Sequence, residues 1–281
     1  MPNYADWIGK SETVDDVATE LVAARMAGLL DRPRPAAGDA WPPAWIWALF
    51  WPAMRHDEAG PDGHSARGKF LPPIHLPRRM WAGSTVTIDM PLTVGEAARR
   101  TSTIADIAEK TGRSGELVFL TVDHLIEGAN GGRMRESQRI AYREAASATP
   151  PQAAPERRAT ADIGFEPQWR RTITPDPVLL FQYSAVTYNT HRIHYDHPYA
   201  TGVEGYPGLI VHGPLTATLL MDLLAASLPG RQVAEFKVTA MRPLYAVAPF
   251  EIVGGAEGNA FQLAAIDHAN EIAMRIEGIL V

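Results

Sequence analysis

Residues 208–230 read Gly208-Leu-Ile-Val-His212-Gly213-Pro214-Leu215-Thr-Ala-Thr-Leu219-Leu220-Met-Asp222-Leu223-Leu224-Ala-Ala-Ser-Leu228-Pro229-Gly230. Leu215, Leu219, Leu220, Leu223, Leu224 and Leu228 recur at helical spacing, and Pro229-Gly230 stops the run. The stretch therefore predicts a helix over 213–228 with one wide apolar face. His212 and Asp222 make it a poor membrane span. The longest apolar run elsewhere, Trp45–Trp51, falls far short of the ~20 residues that cross a bilayer. A helix this apolar needs a cover, and the segments after it supply one. Val233–Met241, Pro249–Gly254, Ala260–His268 and Ile272–Val281 are strand-like with tight turns between them. One apolar helix against a curved antiparallel sheet is an α+β arrangement that buries both.

Upstream of the helix, Arg171–Thr174 and Val178–Val186 predict further extended segments. Ala145–Ala161 is small, polar and Pro-rich, cannot bury an apolar face, and predicts a linker. At ~150 residues per domain, 281 residues leave room for two domains. The expected division is 1–145, a linker over 146–161, and 162–281. The first part repeats the order coarsely. Residues 13–30 predict a helix, from Val14, Val17, Ala18, Leu21, Val22 and Leu29. Trp45–Phe50 predicts the covering helix, and four of the seven tryptophans fall between Trp41 and Trp51, as a buried anchor would. Thr85–Met90, Ile104–Lys110, Gly115–Leu125 and Arg133–Tyr142 predict strands. Each half then reads as a long helix wrapped by an antiparallel sheet.

Composition narrows the function. With 26 basic and 32 acidic residues the formal net charge is -6, which argues against a broadly cationic surface for nucleic acid or membrane. The chain has no cysteine, which excludes a disulfide scaffold, a thiolate nucleophile, a Cys-type zinc site and an iron–sulfur cluster. The N-terminus lacks a basic region followed by an apolar core, so no signal peptide and a cytoplasmic location are expected. There is no Gly-x-Ser-x-Gly elbow, no Walker loop and no Gly-x-Gly-x-x-Gly run, so neither a serine hydrolase nor a nucleotide cofactor is indicated.

The densest polar cluster is Tyr188-Asn189-Thr190-His191-Arg192-Ile193-His194-Tyr195-Asp196-His197. It precedes a helix start, Gly213-Pro214, where free N–H groups and the helix dipole suit an oxyanion. His191, His194, Asp196 and His197 also offer enough ligands for zinc, although no His-Glu-x-x-His accompanies them. His191 and His197 read otherwise as structural or surface residues.

Asn189-Thr-His-Arg-Ile-His194-Tyr-Asp196, followed by Val211-His-Gly213, resembles the hydratase motif of the MaoC-type, or (R)-specific, enoyl-CoA hydratases. The resemblance implies a double hot-dog fold with one active site. It places His194 at the family's catalytic histidine, Gly213 at its oxyanion glycine, and Asn189 where the family commonly has Asp. That departure is shared by a branch resembling mesaconyl-C4-CoA (3-methylfumaryl-CoA) hydratase, itaconyl-CoA hydratase and the hydroxyacyl-thioester dehydratases. Leu76-Pro-Arg78-Arg79-Met-Trp81-Ala-Gly83 resembles the same branch.

The implied reaction is reversible hydration of an α,β-unsaturated acyl-CoA, with no cofactor beyond the CoA of the substrate. His194 would act as general base. The Asn189 amide would hold the water or product hydroxyl. The Gly213 N–H would stabilise the enolate oxygen, a donor worth roughly 3 kcal/mol in other systems. Three rivals remain: a (3R)-hydroxyacyl-thioester dehydratase of fatty-acid synthesis, a hot-dog thioesterase, and a non-catalytic acyl-CoA-binding protein. The thioesterase would want a carboxylate near the helix, where only Asp222 stands. Phosphates and a second acyl carboxylate would call on Arg79, Arg192, Arg242 and His212, with Arg78, Arg170, Arg171 and Lys237 as further cations. The tryptophan cluster favours short acyl chains. Two hot-dog units can satisfy each other's sheet edges, so both a monomer and a homo-oligomer are open.

Overall fold

Ten strands make one continuous antiparallel sheet in the computed structural model, which describes residues 4–51, 54–112, 115–144 and 162–281. They are β1 (Ser11–Val17), β2 (Arg78–Met90), β3 (Ala97–Gly112), β4 (Gly115–Gly128), β5 (Arg133–Arg143), β6 (Trp169–Ile173), β7 (Val233–Ala240), β8 (Phe250–Glu257), β9 (Ala260–Ile266) and β10 (Ile272–Leu280). The spatial order is β1-β3-β4-β5-β2-β7-β10-β9-β8-β6. Taken from either end inward, the strands come as first, third, fourth, fifth and second of their half. β2 and β7 meet at the centre through antiparallel pairs from Gly83↔Thr239 to Thr87↔Glu235. Two copies of one unit thus close each other's open edge. This is the expected double hot-dog.

The second half is covered by α3 (Gly213–Ser227), whose Leu215, Ala217 and Leu220 are wholly buried. Each buried leucine contributes about 1.5–3 kcal/mol. The first half is covered differently. In place of a long helix over Trp45–Phe50 stands a six-residue 3₁₀ segment, Pro43–Ala48. Pro42 and Pro43 start it, and Phe50 leaves it in a left-handed conformation with φ of 64°. Bulk replaces length: Trp41, Trp45, Trp47 and Phe50 are all buried there, and an aromatic side chain covers far more area than an aliphatic one.

Two other expectations are corrected. Residues 13–30 are not one helix: β1 ends at Val17, and α1 runs Glu20–Leu29 with Thr19 Oγ1 accepting the Val22 N–H at 3.2 Å. β1 is an edge strand carrying Glu12, Asp15 and Asp16, charges that protect an edge from further pairing. Val178–Val186 is helical, within α2 (Pro177–Val186). Asp176 Oδ1 accepts the Leu179 N–H at 2.8 Å and Pro177 occupies the first turn, a strong start signal that outweighs the β-branched and aromatic residues that follow. The linker expected at 146–161 lies outside the described residues. No described helix is long and apolar enough to cross a membrane.

Candidate active site

α2 ends beside the polar cluster and sets its geometry. The Asn189 N–H donates to Ser184 O at 2.8 Å, and the Asn189 Oδ1 accepts the His191 N–H at 3.0 Å. That bond occupies the amide oxygen and leaves the Nδ2 hydrogens as its free end. Residues Arg192–His194 then form one 3₁₀ turn that buries the His194 ring. His194 Nδ1 lies 2.8 Å from Ile210 O. A carbonyl only accepts, so Nδ1 carries the proton and Nε2 the lone pair. His212 stacks on His194, with ring centroids 3.7 Å apart and planes at 19°, and its Nε2 lies 2.9 Å from Ser184 Oγ. Burial pushes the His194 pKa down to about 3, and burial beside the His194 and His191 rings holds His212 well below its usual value. Both rings are neutral at neutral pH.

His194 lines a cavity of about 570 Å³ between the halves, with Asn189, His191, Gly213, Pro214, Arg79, Trp81, Asp62 and His64 among its other walls. The start of α3 opens into it. As the first helical residue, Gly213 keeps its N–H outside the helix's own hydrogen-bond ladder, at the positive end of the dipole. A Cβ there would lie 2.7 Å from Trp81 Cε3, so the first half's tryptophan demands the glycine. Trp81 Nε1 donates to Ser84 Oγ at 3.2 Å, and Ser84 Oγ donates to Glu136 Oε1 at 2.6 Å. Trp47 Nε1 donates to the same oxygen at 3.0 Å. A buried carboxylate thereby fixes two tryptophan walls.

Of the expected residues, Asn189, His194, Gly213, Arg79 and Arg242 line the cavity together; Arg192 and His212 do not. Arg192 is committed elsewhere: Nε and Nη2 bind Asp196 Oδ2 at 2.9 and 2.8 Å, and its guanidinium lies 4.0 Å over the Tyr199 ring. His212 sits wholly buried behind His194. Neither side chain is among the walls of the cavity. Arg242 pairs with Glu271, and Arg78 pairs with Glu204 at 3.1 Å. Arg170 and Lys237 pair with Glu251 and Glu277 away from the cavity. Among the described residues Arg79 has no ion pair.

The rival chemistries fare differently. Asp222 is clamped by Arg32 and Arg171, each at 2.7 Å, and does not line this cavity, so α3 brings no carboxylate to His194. The zinc set of His191, His194, Asp196 and His197 does not converge, since His197 is exposed and Asp196 holds Arg192. Among the described residues the three side chains that do gather are Asp62, His64 and His191, with ligand atoms within 4.8 Å of one another. Sequence reasoning missed Asp62 and His64. Their only signal was a Gly60-Pro61-Asp62-Gly63-His64 turn, which by composition reads as a loop.

The profile of the hydroxyacyl-thioester dehydratase type 2 family matches residues 44–246. The chain is 41% identical over 265 residues to the mesaconyl-C(4)-CoA hydratase of Chloroflexus aurantiacus, covering 94% of this chain and 92% of that protein. Among solved structures it resembles a MaoC-like dehydratase at TM-score 0.72 and 15% identity, over 99% of this chain and 98% of that one. It also resembles a Mycobacterium tuberculosis protein described as a double hotdog fold, at TM-score 0.56 and 13% identity, over 100% and 98%. These two likenesses speak for the fold alone. The profile match and the extended identity assign the family: the chain belongs to the hydroxyacyl-thioester dehydratase type 2 family.

Proposed function

We propose that this enzyme catalyses reversible hydration of a short α,β-unsaturated acyl-CoA bearing a second carboxylate, of the mesaconyl-C4 type. The observation that carries the reaction is the convergence of His194, Asn189 and Gly213 on one cavity. The thioester oxygen takes the Gly213 N–H, and the Asn189 amide holds a water at the β-carbon. His194 Nε2 accepts a proton from that water as its oxygen bonds to the β-carbon, and the displaced electron pair moves toward the thioester oxygen. A proton to the α-carbon completes the addition, and the same groups in reverse dehydrate a hydroxyacyl thioester.

Arg79 supports the dicarboxylic substrate. A cavity-lining guanidinium with no carboxylate partner of its own is suited to receive one from a ligand. In a butenedioyl thioester the second carboxylate is borne by the β-carbon, next to the point of attack. Trp47, Trp51 and Trp81 wall the cavity and favour a short acyl group, while Arg78, Arg143 and Arg242 supply cationic lining for CoA phosphates. Hydration of a methyl-butenedioyl-CoA and of crotonyl-CoA by wild type and Arg79→Leu tests this. Wild type should prefer the dicarboxylic thioester. The variant should lose about 10²-fold or more in kcat/KM for it, as loss of one partner of a desolvated charge pair does, and stay within a few-fold on crotonyl-CoA. An equal loss on both substrates, or crotonyl-CoA as the better wild-type substrate, would contradict the carboxylate reading.

A further inference from the structure

The turn Gly60–His64 belongs to the first half, yet it is fastened to the second half's catalytic loop. The Arg192 N–H donates to Asp62 O at 2.9 Å, Thr190 Oγ1 donates to Gly63 O at 2.6 Å, and Arg192 Nη1 donates to Pro61 O at 3.0 Å. Gly63 has φ of +89°, and a Cβ there would lie 2.1 Å from Thr190 O, so only glycine permits the approach. Asp62 Oδ1 accepts the His64 N–H at 3.1 Å, and Oδ2 sits 3.6 Å from His64 Nδ1. The His64 ring lies 4.2 Å from the His191 ring, which lies 5.4 Å from the His194 ring. All four side chains line the same cavity.

The site has a chemical gap that this arrangement fits. The Asn189 amide neither gives nor takes a proton at working pH. Two carboxylates line the cavity among the described residues. Glu204 is ion-paired to Arg78 and hydrogen-bonded by Tyr199 at 3.1 Å, so Asp62 is the one not held by an arginine. We propose that His64, oriented by Asp62, is a second acid/base group of this site and exchanges the proton at the substrate α-carbon, while His194 serves the water. The inference rests on the hydratase reading above.

The steps balance. His194 Nε2 takes a proton from water as oxygen bonds to the β-carbon, and the π pair moves to the α-carbon and thioester oxygen. The His64 imidazolium gives its proton to the α-carbon and becomes neutral. His191, whose ring neighbours both of the others, passes the proton from His194 back to His64. One water is consumed and nothing else. Substrate binding promotes the acid form: burial, then the charge of Arg79, push the His64 pKa down to about 4 against the pull of Asp62, with Arg67 adding a smaller push. A substrate carboxylate on Arg79 offsets that charge and leaves Asp62 to stabilise the imidazolium.

A metal ion is the other occupant these side chains invite. Asp62 is the one carboxylate of this trio, and the guanidiniums of Arg79 and Arg67 are both within electrostatic reach of His64, so a divalent cation would meet more like charge than opposite.

The test is α-hydrogen exchange of succinyl-CoA in D₂O, because this saturated butanedioyl thioester has an acidic α-hydrogen and no β-hydroxyl to eliminate. Wild type and His194→Ala should both exchange, the latter while failing to hydrate. His64→Gln should lose exchange by about 10²-fold or more. Asp62→Asn, which keeps the imidazole, should lose about tenfold in kcat and little in KM, and it serves if the His64 variant does not fold. Exchange at the wild-type rate in His64→Gln or Asp62→Asn, or exchange abolished in His194→Ala, would overturn the assignment. So would loss of exchange on EDTA treatment that a divalent metal restores. A wild type that hydrates a butenedioyl-CoA but exchanges nothing sinks the His64 role alone; one that does neither sinks the hydratase reading beneath it.

Discussion

The two halves share a strand order and differ at the first residue of what covers them. In the second half that residue is Gly213, opening a 15-residue helix; in the first it is Pro43, opening six residues of 3₁₀ turn. Each start borders a cavity. The one beside Pro43 is about 590 Å³, walled by Trp41, Trp45, Met221, Leu224 and Val233, and among the described residues neither histidine nor asparagine lines it. Proline has no N–H to offer an oxyanion, so the first residue of this cover supplies no such donor, and Asp89 and Asp222 are the acidic side chains in its walls. The repeated fold makes two clefts of similar size, and they differ in the residues that one helix start and one loop bring to their walls. The first half is not idle in the other cleft, since it contributes Trp81, Arg79, Asp62 and His64 to its walls.

The comparison can be sharpened from both sides. The larger effect is expected at Gly213→Ala, whose Cβ must displace Trp81 or the helix start. An oxyanion donor moved out of place costs about 10²–10³-fold in kcat. Steady-state kinetics on folded variant should show that loss; near wild-type turnover would mean the Gly213 N–H is not what separates the halves. The smallest effect is expected at Pro43→Ala, which gives the first cover an N–H in the cleft remote from His194. Turnover should stay within about twofold, because substitutions remote from the reacting groups leave transition-state binding unchanged. A tenfold change in either direction would show that the second cleft communicates with the chemistry.

Much of this was legible in the sequence because it repeats with a fixed period. α3 carries its leucines at helical spacing and stops at Pro229-Gly230, and the strands after it alternate at two, so these were read close to their observed limits. β2 and β3, by contrast, each begin seven residues earlier than expected, and β1 was read as helix. α2 was misread because Val178, Phe181 and Val186 favour strands, although Asp176-Pro177 is a cap followed by a first-turn proline. Asn189, His194 and Gly213, which line one cavity, were legible as a group because they lie on one loop and the next helix start. Asp62 and His64 were not, because nothing local marks a turn whose purpose is set by contacts such as Thr190 to Gly63, 127 residues apart. Arg192 was overread for the opposite reason: it sits inside the motif, but its guanidinium is spent on Asp196.

The most direct test follows the products formed from a methyl-butenedioyl-CoA by wild type and His194→Ala. Wild type should yield the hydrated thioester with no free thiol. The variant should remain folded and lose about 10²–10⁴-fold in turnover, the usual contribution of a general base. Release of free CoA by wild type, or hydration by His194→Ala at the wild-type rate, would contradict a hydratase built on His194.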